Sequence, residues 1–139
     1  MSIYFTVIIG IILFEYILSF IVRTLNIQAL DPKLPGEFLD TFDDEKYAKS
    51  QDYTRSNSKF AYLTSTFSLI LGLWFILSGF YNTIDLYARS FGFSEIITGL
   101  CFFGLLSIVN DILSLPLSLY KTFVLEEKYG FNKTTYATF

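Results

Sequence analysis

Residues 60–81 read FAYLTSTFSLILGLWFILSGFY, from Phe60 to Tyr81, and no Asp, Glu, Lys or Arg interrupts the twenty-two positions. A helix rises about 1.5 Å per residue, so this stretch outreaches a hydrocarbon core of about 30 Å. A soluble helix keeps a charged face, and this one has none. The run predicts a transmembrane helix and sets the terms for the rest of the chain.

Working outward, Ile3 to Val22 forms a second apolar run, broken among charged types only by Glu15. No basic residue precedes it and no small-residue cleavage pattern follows, which separates it from a secretory signal. A third run extends from Ile96 to about Leu125 and contains Asp111, Pro116 and Lys121. As a continuous helix it is longer than the membrane needs, and Pro116 removes one backbone donor. A bend or end near Pro116 is expected, giving a span of about 96–118. The expected fold is all-α: a polytopic helical membrane protein with three transmembrane helices.

The composition agrees. The chain is 53% hydrophobic and 19% aromatic, with a mean hydropathy of +0.48, above what a soluble domain of 139 residues carries. A net charge of −3 with no basic block argues against a nucleic-acid partner. There is no histidine and only one cysteine, Cys101, so no metal site is expected in this chain and no His-assisted nucleophile can form.

Residues 23–59 form the polar connection between the first two spans. It opens on Asp31-Pro32-Lys33-Leu34-Pro35-Gly36, a turn signal, and then turns acidic from Asp40 to Glu45. From Glu37 to Lys59 there is no Gly or Pro, so this part reads as helical and runs directly into the second span. The acidic run lacks the spacing of a calcium loop and reads as a solvated helix face. A short loop carrying Asp85, Arg89 and Glu95 joins the second and third spans.

Basic residues set orientation. The first connection holds Arg23, Lys33, Lys46, Lys49, Arg55 and Lys59, whereas the second loop holds only Arg89. This distribution predicts an outside N-terminus, with the first connection and the C-terminal tail in the cytoplasm. Asn132-Lys133-Thr134 matches a glycosylation sequon but falls on the cytoplasmic side of that arrangement.

Two faces carry polar or small groups. In the third span Ser107, Asn110, Asp111, Ser114 and Ser118 fall within an arc of about 100° on a helix. A carboxylate at bilayer depth costs at least about 2.5 kcal/mol against lipid, so this stripe turns toward protein or a wet cavity. It suits either a chamber lining or a helix–helix contact held by Ser and Asn. The second span groups Ser65, Ser68, Gly72 and Gly79, the pattern of close helix packing. Glu15 stands nearly alone in the first span.

The stretch Leu115 to Thr134, LPLSLYKTFVLEEKYGFNKT, follows the pattern P-x-S-x-Y-x-x-F-V-x-E-x-x-x-G-F-N. Pro116, Ser118, Tyr120, Phe123, Val124, Glu126, Gly130, Phe131 and Asn132 all fall in register. This resembles the N-terminal region of the CAAX prenyl protease 1 family, integral-membrane HExxH zinc metalloproteases. A looser similarity covers Tyr47 to Tyr53 and Lys59-Phe60.

The resemblance implies a helix bundle around a water-filled chamber, with zinc held by two HExxH histidines and a later glutamate. It implies hydrolysis of peptide bonds in prenylated CaaX proteins or membrane proteins, in the endoplasmic reticulum or the bacterial inner membrane. Partners would be membrane lipid, the remainder of the protease chain and those substrates. None of the matched positions is a zinc ligand, so no catalytic residue carries over. Zinc is expected of the full-length protein and not of this chain, which reads as its N-terminal transmembrane domain without the zinc-protease domain. By itself the chain is expected to be inactive. Glu126 and Asn132 are candidates for the side facing the active site. The alternative is a stand-alone, non-catalytic three-span scaffold or partner-binding protein.

Overall fold

The computed structural model describes residues 3–34, 43–135 and 137–139. Pro35, Gly36 and the acidic run's Asp40 lie outside these. The described chain is helical: α1 (Ile3–Gln28), α2 (Asp44–Leu77), α3 (Phe80–Arg89) and α4 (Glu95–Tyr120), the last continuing into a π-turn over Lys121–Glu126. Among the described residues three helices are long and apolar enough to cross a membrane: α1, α2, and α4 together with its π-turn.

α1 does not stop at Val22 but carries Arg23 to Gln28 in the same helix. α2 begins within the acidic run, for a definite reason. Asp43 holds extended dihedrals and its carboxylate accepts hydrogen bonds from the backbone N–H of Glu45 (3.0 Å) and Lys46 (3.3 Å). Asp44 and Glu45 then sit in the first turn, where negative charge suits the helix dipole. The run is a helix start as well as a solvated surface.

The second span ends earlier than its composition indicates. α2 closes at Leu77, Ser78 caps it through a backbone bond to Trp74, and Gly79 takes φ +74°. That left-handed turn favours glycine because a side chain there is strained. Phe80 and Tyr81 thus begin a new helix, α3, where a loop was expected. α3 buries Ala88 completely and places Asp85 against Arg89 at 2.7 Å, one turn apart. That hydrogen bond, with the carboxylate's charge, raises the Arg89 pKa above its ordinary value.

α4 passes through Pro116 without ending there. A membrane helix tolerates proline when surrounding groups take up the freed carbonyl. The irregularity comes later, in the wide turn of Lys121–Glu126. Tyr120 and Leu125 both line the cleft against α2, although an α-helix would set residues five apart about 140° from each other. The π-turn accounts for their shared face.

Among the described residues only Ala88, Leu125 and Thr98 are buried. The helices therefore associate through specific contacts rather than through an apolar core. Between α1 and α2, Tyr16 and Thr66 share a hydroxyl bond of 2.7 Å and Thr24 and Tyr62 one of 2.6 Å. Phe20 packs on Tyr62 at 4.9 Å, and the Arg23 guanidinium lies 5.6 Å from the same ring centre. Between α2 and α4, Phe60 stacks on Tyr120 at 5.5 Å. The N-terminal half of α2, the C-terminal part of α1 and the C-terminal end of α4 meet at one end of the molecule.

Candidate functional site

The polar stripe of α4 lies on an open face. Ser107, Asn110, Asp111 and Ser118 are exposed and Ser114 is half-buried, its hydroxyl donating to the Asp111 carbonyl at 3.2 Å. Asn110 also reaches the edge of a 230 Å³ cleft with Ser68, Gly72, Phe75 and Tyr81. Asp111 has no ion pair or side-chain hydrogen bond among the described residues. Of the five, only Asn110 borders a cleft shared with α2. A carboxylate at that depth still requires water, an unlike charge or a donor.

The small-residue face of α2 is also open. A Cβ added to Gly72 would meet nothing within 4 Å, and Gly79 lies outside the helix altogether. Ser65 and Ser68 instead line a 340 Å³ groove with Glu15, Tyr16, Ser19 and Arg23. An adjoining groove of 470 Å³ adds Asn26, Asn57 and Ser58. Glu15 is therefore one of a row. Its sequence signal was the four-residue spacing of Glu15, Ser19 and Arg23, which puts all three on one side of α1.

The matched motif forms a structural joint. Phe131 N–H donates to the Glu126 carbonyl (2.9 Å) and Gly130 N–H to that of Glu127 (3.0 Å), while Gly130 takes φ +72°. This is the Schellman closure of a helix, which calls for glycine at the left-handed position. Asn132 then donates to Glu127 Oε2 at 2.9 Å and accepts from Thr134 N–H at 2.7 Å, which fixes the exit turn. Pro116 and Val124 line the α2–α4 cleft, Tyr120 meets Phe60, and Phe123 packs near Phe139 at 5.5 Å. Ser118 is the exception, pointing outward with the polar stripe.

A zinc ion needs three or four closely set His, Cys, Asp or Glu donors. No such group of three forms among the described residues, and the sequence has no histidine. These residues do not fit a zinc ion, and no catalytic step follows from them.

Comparison with known proteins gives a consistent answer. Residues 23–139 match the family model described as CAAX prenyl protease N-terminal, five membrane helices. The chain is 38% identical over 115 residues to CAAX prenyl protease 1 of Saccharomyces cerevisiae, covering 76% of this chain and 25% of that one. It is 32% identical over 124 residues to the CAAX prenyl protease 1 homolog of Homo sapiens, covering 84% and 26% respectively. The crystal structure of S. mikatae Ste24p superposes with a TM-score of 0.86 at 33% identity, over 99% of this chain and 33% of that chain. This chain therefore spans about a quarter to a third of the length of the curated relatives it matches. The fold, the joint at Gly130 and these similarities agree that the chain belongs to the CAAX prenyl protease N-terminal family.

Proposed function

We propose that this chain is the N-terminal membrane portion of a zinc metalloendopeptidase resembling CAAX prenyl protease 1, and that Ser107, Asn110, Asp111, Ser114 and Ser118 line its intramembrane chamber. The observation that carries this reading is Asp111, a carboxylate on the open face of a membrane-crossing helix with no partner among the described residues. A chamber filled with water supplies its solvation, and a lipid-facing position does not. The similarity to Ste24p along nearly the whole chain supports it.

In this reading the chain contributes wall, not chemistry. Zinc and its ligands come from the remainder of the protease, which hydrolyses peptide bonds of prenylated CaaX or membrane-protein substrates. The N-terminus lies outside, and the Arg23–Lys59 connection and the C-terminal tail are cytoplasmic.

The test is the intact mass of the protein as its native host makes it, with peptide mapping. A mass far above 16.0 kDa with an HExxH peptide in the digest is expected. A mass of 16.0 kDa and no such peptide would overturn the reading in favour of a non-catalytic scaffold.

A further inference from the structure

A cleft of about 730 Å³ lies between the N-terminal half of α2 and the C-terminal part of α4 with its π-turn. Its lining changes character along its length. Phe60, Leu63, Pro116 and Leu117 are apolar, whereas Ser56, Lys59, Lys128 and Tyr129 add polar or charged groups toward the end where Ser56 meets Tyr129. Because α2 and α4 run antiparallel, Ser56 pairs with Tyr129 at the polar end (2.7 Å) and Leu63 lies about 10 Å deeper along α2.

The two lysines carry unneutralised charge. Both are exposed, and neither has an ion pair among the described residues. Lys128 rests over the Tyr129 ring at 5.3 Å, and the neighbouring Glu127 carboxylate is engaged by Asn132. An apolar slot lined by two lysines near a membrane boundary suits an amphiphile with an anionic head. A protein helix seated there would have to bring an acidic side chain to each lysine, and an uncharged isoprenoid would leave them unneutralised.

We propose that this cleft binds one anionic phospholipid, with its phosphate between Lys59 and Lys128 and one acyl chain along Phe60, Leu63 and Leu117. All the residues of this site belong to this chain.

The test uses the protein as its native host makes it, reconstituted in phosphatidylcholine bilayers with phosphatidylserine as a minor component. Co-retained lipid is then read by native mass spectrometry. Phosphatidylserine should be enriched over the bulk bilayer, and K59Q and K128Q should each lower the enrichment about fivefold. The paired control K46Q/K133Q, outside the cleft, should leave it unchanged. No enrichment in the unmodified protein, no loss in either cleft variant, or an equal loss in the control would overturn the site. A photoactivatable acyl chain on phosphatidylserine gives a readout free of substitutions: it should crosslink to peptides containing Leu63 or Leu117. Labelling confined to other helices would overturn the proposal.

Discussion

The ring of Phe131 lies 4.6 Å from that of Tyr53, centre to centre, so the residue just past the left-handed glycine is seated on the second helix. Tyr129 reaches the same region, with its hydroxyl 2.7 Å from Ser56 Oγ and 3.3 Å from the Asp52 carbonyl. The Gly-Phe-Asn end of the motif thus joins two helices that are distant in sequence.

Removing that anchor should loosen the joint. F131A is expected to destabilise the protein by about 1 kcal/mol, the worth of an aromatic pair with half-exposed rings. F131Y should be nearly neutral. Thermal unfolding in a mild detergent measures both, and an F131A protein as stable as the parent would remove the anchoring role.

Gly130 should be irreplaceable for a backbone reason alone. A Cβ there would meet only the Lys49 Nζ at 3.9 Å, so space is not limiting, but φ is +72°. G130A should cost about 1–2 kcal/mol and G130N distinctly less, because asparagine tolerates the left-handed region. Equal losses for the two would point to packing instead.

The α1–α2 contact should show measurable coupling between Tyr16 and Thr66. Interhelical hydrogen bonds in membranes average about 0.6 kcal/mol. A double-mutant cycle with Y16F and T66V should return a coupling of that order. Zero coupling would mean that the two hydroxyls do not meet in the bilayer.

Chamber and lipid faces of α4 should separate by thiol chemistry. With the native thiol removed by C101A, D111C should react with a small polar maleimide in the intact protein. I112C, 64% exposed yet apolar in character, should resist it. Equal protection of both positions would return Asp111 to a helix contact with the rest of the protein.

Orientation is tested by an impermeant thiol reagent on sealed vesicles of known sidedness, again in a C101A background. S90C and K133C should label from opposite sides, with K133C on the cytoplasmic side. Labelling of both from one side would contradict three crossings.

The three spans were legible because long uncharged runs have few other uses. The details that escaped were those that hydropathy cannot register. Gly79, Phe80 and Tyr81 look like a continuation of the second span, and only the left-handed turn at Gly79 shows that a new helix starts. Pro116 signals a bend or an end, and the helix does not end there, while the π-turn at Lys121–Glu126 carries no sequence mark of comparable strength. The α4 stripe was readable from spacing because its five polar residues share one helix. The groove of Glu15, Ser19 and Arg23 with Ser65 and Ser68 was not, since it depends on which faces of α1 and α2 come together.

α2 is 34 residues long, about 51 Å, and a hydrocarbon core takes up only about 30 Å of that. About 20 Å of the helix therefore stands clear of the hydrocarbon. Tyr53 and Ser56, the residues that Phe131 and Tyr129 meet, lie on the charged stretch before Phe60. The chain leaving α4 is thus moored to the part of α2 that projects into water, not to the part that lipid surrounds.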